Sequence, residues 1–274
     1  MERVAGPLRR RPAARGDGRV ERVLEAWGPV RRVRLLGGGN RNEVVEVELA
    51  GRRLVARRSR RAAASLDWEI SLLEHLARSG VRVPAVVPAP DGRRHVAGVL
   101  LMTWLDGRPP AAGDWPAVAA TLRRVHELTR GWPQRPGSAS TRALLTDDRG
   151  GDVNLSVMPV EAVAACRQAW AALAGTPEAV VHGDPGPANI RITDEGIGLL
   201  DWDEARVDAT DLDLAELPGA DLPADRLAVA RTAATAWEAA NGWTVEPSYA
   251  RRQLAMLLAG RDGFSSGGPG SMSP

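Results

Sequence analysis

Lysine is absent from this chain of 274 residues; all 36 basic side chains are arginine. That absence excludes a P-loop lysine, a Schiff-base lysine and a Ser–Lys dyad. Cysteine occurs once, as Cys166, which excludes an internal disulfide and fits a reducing compartment, the cytoplasm. Phe and Tyr also occur once each. No apolar run approaches the ~18–20 residues of a membrane span, and no apolar stretch follows the basic start "MERVAGPLRRRPAARGDGR" as it would in a secretory signal. The four histidines, His75, His95, His126 and His182, are scattered without metal-ligand spacing. His126 falls on an apolar helix face and reads as a core residue.

Apolar residues make up 44% and charged residues 26%, as expected of a globular chain long enough for one large domain or two lobes. The net charge of +2 hides a split. Residues 1–105 hold 21 arginines against 11 acids, and residues 106–274 hold 15 against 23. A basic half joined to an acidic half suits a site that binds an anion from one side and a cation from the other. The arginine-rich start alone is weak ground for nucleic-acid binding, and no such partner is expected.

Residues 1–18 read as a flexible leader. "RVERVLEAWG" follows as a short helix, then the strand-like "RRVRLLG", "NEVVEVELAG" and "RRLVARR", the last two joined by a tight turn at Ala50–Gly51. "SLDWEISLLEHLARSG" is a helix with Ser65 at its start and Gly80 at its end. "VRVPAVV" and "VAGVLLMTW" read as two more strands. From Asp114 onward the chain is mostly helical, with an aspartate cap at Asp114 and a last helix near 246–259, followed by a flexible tail over 261–274. The division is therefore a first lobe over 19–103 and a second over 104–260.

The chemistry concentrates in "VVHGDPGPANIRI" (180–192), a loop stiffened by two prolines between apolar strands. Asn189 follows Asp184 by five residues, and an apolar strand in "GIGLLDWDEA" delivers Asp201 to a second loop. Phosphoryl transfer needs a carboxylate to take the proton of an attacking hydroxyl. It also needs oxygen ligands for Mg²⁺, a cation for nucleotide phosphates and a glycine-rich turn near them. Asp184 suits the first role, Asn189 and Asp201 the second, Arg57 the third and Gly37–Gly39 the fourth.

"HGDPGPAN" followed by "LLDWD" resembles the aminoglycoside phosphotransferase and choline kinase family, relatives of eukaryotic-type protein kinases. His182, Gly183, Asp184 and Asn189 have the spacing of the kinase H-R-D-x-x-x-x-N loop, and Asp201–Asp203 stand at D-F-G. "LVAR" (54–57) is similar to V-A-I-K with arginine for lysine. "DWEISLLEHLARSGVRVPAVV" resembles the family's glutamate-bearing helix, which gives Glu69. "VAATLRRVHEL" and "DATDLDLAEL" also match, so the likeness covers roughly 32–217.

The resemblance implies an α+β, two-lobed, protein-kinase-like fold. Its first lobe would be an antiparallel sheet with one helix, and its second mostly helical. It implies His182 as a brace for the loop, with Asp184 catalytic and Mg²⁺ on Asn189 and Asp201. ATP or GTP would lie against Gly38, Gly39, Asn40, Val55, Arg57 and Glu69, with Met102 and Trp104 at the hinge. Strand alternation sets Arg57 apart from Arg58, and the V-A-I-K match selects Arg57.

The implied activity is transfer of a γ-phosphate to a hydroxyl of a small molecule, foremost an aminoglycoside-like or other antibiotic, giving resistance. Asp203, Glu204, Asp208 and Asp211 are candidate contacts for a cationic acceptor. A metabolic kinase for choline, homoserine or a sugar-like acceptor is the alternative. A non-catalytic nucleotide-binding module is another, which the intact Asp184, Asn189 and Asp201 disfavour.

Overall fold

The computed structural model describes residues 19–36 and 42–265. Its first elements are α1 (Arg19–Leu24), β1 (Arg31–Leu36), β2 (Glu43–Leu49), β3 (Arg52–Arg58), α2 (Ala63–Arg78) and β4 (Val99–Thr103). The four strands form one antiparallel sheet in the order β1-β2-β3-β4. Ala50 (φ 50°) and Gly51 (φ 74°) make the two-residue turn between β2 and β3. A positive φ at both positions matches the twist of a hairpin.

Alternation along β3 sends Leu54 and Ala56 to one face, where they pack with Val45, Val47, Val99 and Leu101 under Val20, Leu24 and Trp27. The other face holds Val55 opposite Met102 and Arg57 opposite Leu100. Leu100 and Met102 meet Leu66 and Ile70 of α2 there.

Two local expectations are corrected. "VRVPAVV" is not a strand: it makes only single bridges, Arg82 to Gly198 and Val86 to Met102. Pro84 and Pro88 lack the N–H that a continuous ladder needs. Ser65 does not cap α2, which starts two residues earlier with no side-chain cap; its hydroxyl accepts a hydrogen bond from Arg135 instead.

The second lobe comprises α3 (Trp115–Leu128), the short hairpin β5 (Arg149–Gly150) and β6 (Val153–Asn154), and α4 (Val160–Ala171). β7 (Glu178–Val181), β8 (Ile190–Thr193), β9 (Gly196–Leu199) and β10 (Arg206–Ala209) follow, then α5 (Asp211–Leu214), α6 (Ala224–Asn241) and α7 (Pro247–Ser265). Asp114 does not cap α3; its carboxylate takes Arg108 and the Ala111 N–H, which holds it down at about 2. α7 runs past the boundary expected at 260.

α2 belongs to both lobes. Its Trp68, Leu72, Leu73 and Leu76 share a core with Val118, Leu122 and Val125 of α3 and with Val180, Ile190 and Leu199. A second core packs Cys166 and Trp170 of α4 against Ala233, Ala236 and Ala240 of α6, where small side chains let the helices close up. Among the described residues no helix is long and apolar enough to cross a membrane.

Candidate active site

β7 is a buried run that pairs antiparallel with β10 and delivers His182 to the lobe junction. Gly183 follows at φ 88°. A Cβ there would lie 2.7 Å from the Glu204 carbonyl oxygen, so both conformation and space require glycine. His182 is fully buried, and its Nδ1 accepts the Asp184 N–H at 3.3 Å. Nε2 therefore carries the proton and donates to the Leu200 carbonyl at 2.7 Å. The ring packs on Trp202, with centroids 4.7 Å apart. His182 is thus a brace between the two loops.

The turn beneath them rests on Asp213 of α5, which the sequence reading gave no role. It accepts the N–H groups of His182 (2.8 Å) and Gly183 (3.0 Å), and His126 Nε2 at 2.9 Å. Burial pushes the Asp213 carboxyl up, but His126, His182 and the Gly183 N–H outweigh it and hold it below the usual carboxylate range. His126 is the core residue that its helix face implied.

Asp184 projects into an open cleft of about 1310 Å³. Asn189, on a tight turn over 187–189, donates its Nδ2 to the Asp184 backbone oxygen (3.0 Å) and to Asp184 Oδ2 (2.9 Å). Spending both amide protons inward leaves Asn189 Oδ1 free of these bonds. Asp201 stands at φ 57°, ψ 73°, a left-handed conformation that non-glycine residues adopt at a cost and that recurs at functional sites. Its side chain is 47% exposed to the cleft. Burial of the surroundings raises its carboxyl, against the pull of Arg57.

From the sheet above, Arg57 comes down to meet these groups. It is only 3% exposed, donates to Glu69 at 2.5 Å and places Nη1 3.5 Å from Asp201. Burial works against its charge, but Glu69, Asp203 and Asp201 more than offset this. Its Nε has no partner. Val55, Met102 and Trp104 line the same cleft. Trp104 is sandwiched from outside by the Arg53 guanidinium, 3.4 Å from its ring centroid. Gly38, Gly39 and Asn40 lie outside the described residues.

The four acids named for an acceptor divide. Asp203 and Glu204 line the cleft, although Asp203 is tied to Ser59 (3.4 Å) and Arg61 (3.3 Å). Asp208 does not reach the cleft. It is fully buried and accepts the Thr141 N–H, the Thr141 hydroxyl and Arg206 Nε. Asp211 is also buried, forked by Arg226 at 2.6 and 2.7 Å. Both are structural carboxylates. Further acids that line the cleft are Glu216, Glu238 and Glu246, with Tyr249 and Trp237 beside them in the lining. They come from three separate segments; Glu216 falls inside the matched "DATDLDLAEL", and no local motif announced the other two.

The described residues hold no group of three His, Cys, Asp or Glu side chains arranged for a metal. A site of one carboxylate and one amide oxygen suits a hard cation that keeps its other positions for water and phosphate. Asp201 and Asn189 both line the cleft and offer one carboxylate and one amide oxygen.

A four-stranded sheet lobe, a mainly helical lobe and a cleft between them define a protein-kinase-like fold. Solved structures share it. A microcompartment-associated aminopropanol kinase superposes with a TM-score of 0.60 at 18% identity, over 87% of this chain and 95% of that one. A thermostable mutant of the aminoglycoside phosphotransferase APH(4)-Ia, in ternary complex with AMP-PNP and hygromycin B, gives 0.60 at 16%, over 88% and 97%. Choline kinase LicA from Streptococcus pneumoniae gives 0.63 at 14%, over 88% and 96%. The chain belongs to the phosphotransferase enzyme family, whose model matches residues 32–253. An uncharacterized protein of Deinococcus radiodurans is 31% identical over 209 residues, 66% of this chain, and the match spans 60% of that relative's length.

Proposed function

We propose that this protein transfers the γ-phosphate of ATP to a hydroxyl of a small, cationic, amine-bearing molecule, foremost an aminoglycoside-like antibiotic. One observation carries the reading: Asp184 and Asn189 from one loop, Asp201 from a second and Arg57 from β3 all line one cleft, with Asn189 bonded to Asp184 and Arg57 beside Asp201. The same cleft is also lined by Glu204, Glu216, Glu238 and Glu246, an acid wall suited to ammonium groups. The solved structures with this fold include proteins named for aminopropanol and choline, and one bound to hygromycin B. These molecules carry a hydroxyl near a cationic nitrogen, which supports the same class.

In this mechanism the acceptor hydroxyl lies against Asp184, whose carboxylate takes its proton as the acceptor oxygen bonds to the γ-phosphorus. The bond from that phosphorus to the β–γ bridging oxygen breaks, and ADP keeps the electron pair. Arg57 holds the phosphates, and Glu69 keeps the guanidinium aimed at them. Asn189 and Asp201 would hold Mg²⁺, which neutralises phosphate charge when bound. Val55 and Met102 offer an apolar surface to the base. The reducing environment suited to Cys166 fits a cytoplasmic enzyme.

The test is transfer from [γ-³²P]ATP across a panel of aminoglycosides, small aminoalcohols and neutral hydroxyl compounds, at low and physiological salt. The reading expects labelled product from an amine-bearing acceptor, with a KM that rises with ionic strength because screening weakens attraction to the acid wall. Transfer confined to neutral acceptors, with a salt-independent KM, would overturn the acceptor class. No transfer to any acceptor would overturn the activity.

A further inference from the structure

The irregular segment after α3 places one arginine where the two lobes meet. Arg135 is fully buried, and every nitrogen of its guanidinium is engaged. Nε donates to Ser65 Oγ at 2.7 Å and Nη2 to Glu69 Oε2 at 2.8 Å, both on α2. Nη1 lies 3.0, 2.8 and 3.2 Å from the carbonyl oxygens of Trp202, Asp203 and Ala205. The Trp68 ring lies beneath it, 5.5 Å from the guanidinium carbon.

These contacts close a circuit. Glu69 gives one oxygen to Arg135 and the other to Arg57. Arg57 reaches Asp201, and the chain runs on from Asp201 into the carbonyls that Arg135 holds. A buried ion pair is weak evidence for stability, since its desolvation offsets its attraction, and in some proteins such pairs fix a specific geometry. α2 does not need this pair in order to dock, because Leu72, Leu73 and Leu76 already sit in the second lobe's core.

We propose that Arg135 is a positioning residue for phosphoryl transfer: it pins Glu69 and the 202–205 turn together, and so holds Arg57 and Asp201 in register across the lobe junction. This rests on the phosphotransferase reading above. Without the guanidinium, Glu69 Oε2 has no partner in a dry site and turns toward Arg57. Arg57 then loses its hold on Asp201, while the left-handed turn at Asp201 loses the clamp on its three carbonyls. The donor phosphates are the part of the substrate that this misplaces.

The test uses the full chain and needs no acceptor. Affinity for Mg²⁺·AMP-PNP is measured by calorimetry, and single-turnover hydrolysis of ATP, with water as acceptor, is measured per folded enzyme. Misplacement of reacting groups by ~1 Å costs up to ~10²-fold. Arg135→Met is therefore expected to slow hydrolysis by roughly 30–100-fold and to weaken AMP-PNP, with Arg135→Lys intermediate. Arg135→Met combined with Glu69→Gln should be little worse than the poorer single variant, because both break one circuit. A purely structural arginine predicts a lower Tm with an unchanged rate per folded molecule, and losses that multiply in the double variant would mean that Arg135 acts outside the Glu69 circuit. Either result would overturn the proposal. If Arg135→Met does not fold, the same rate and cycle measured with Arg135→Lys decide it. Wild-type protein that neither binds AMP-PNP nor hydrolyses ATP would overturn the phosphotransferase reading as well. A wild type that does both, beside an Arg135 variant that matches it, would overturn this inference alone.

Discussion

Asp213→Asn is the substitution whose effect follows most directly from counted bonds. The carboxylate accepts three donors, two on Oδ2 and one on Oδ1. An asparagine of the same shape can accept on one arm only. If its oxygen keeps His126 and His182, its NH₂ faces the Gly183 N–H. One charge-assisted hydrogen bond is then lost, worth about 1.5–3 kcal/mol, and a buried donor is left unpaired at about 1–3 kcal/mol. The total is roughly 2.5–6 kcal/mol, and at about 2–4 °C per kcal/mol for a chain of this size Tm should fall by about 5–24 °C. Thermal melting followed by circular dichroism measures it. The pH sign is also set. A carboxyl held low in the folded state contributes stability above the unfolded value of ~3.9 and loses it as pH falls through the folded value. The stability gap between wild type and variant should therefore be full at neutral pH and close on acidification below ~4. A variant melting within a degree of wild type would refute the three-bond geometry, and with it the seat of the His182–Asn189 loop.

Three other outcomes are expected. Arg57→Ala should raise the KM for ATP and lower kcat, whereas Arg58→Ala should do little; equal effects in steady-state kinetics would mean that the wrong face of β3 meets the phosphates. Asn189→Ala and Asp201→Ala should each weaken Mg²⁺-dependent AMP-PNP binding with the circular dichroism spectrum unchanged, and unaltered calorimetric affinity would remove both from the metal site. Burial pushes the Cys166 thiol up to about 12, so Ellman's reagent at pH 8 should label native protein only as fast as the α4–α6 core opens. Stoichiometric labelling of native protein within minutes would contradict that packing.

What could be read from the sequence was local. The loop from His182 to Asn189 carries its chemistry in contiguous residues, and two-residue alternation places Val55 and Arg57 on the same face. The same alternation, applied to β10, puts Arg206 and Asp208 on one face, where they pair with each other at 2.9 Å and leave Asp208 nothing to offer an acceptor. Residue type alone does not reveal that a carboxylate's lone pairs are spent, and Asp211 with Arg226 repeats the lesson. Asp213 and Arg135 act on partners some 30 and 66 residues away, beyond any spacing rule. An acid inside the apolar "DLDLAEL" is the one signal that marked Asp213; nothing marked Arg135. The acid wall is assembled from separate segments by tertiary packing, so it became visible only with the fold.

The central claim is that Asp184 takes the proton of the attacking hydroxyl. Asp184→Asn keeps the shape and removes the basicity, and its folded form should still bind Mg²⁺·AMP-PNP, because Arg57, Asn189 and Asp201 remain. Positioned proton transfer is worth about 10²–10⁴-fold, so kcat for phosphate transfer to the best acceptor should fall by that range while nucleotide affinity changes less than about threefold. A folded Asp184→Asn enzyme that transfers phosphate at the wild-type rate would contradict the account.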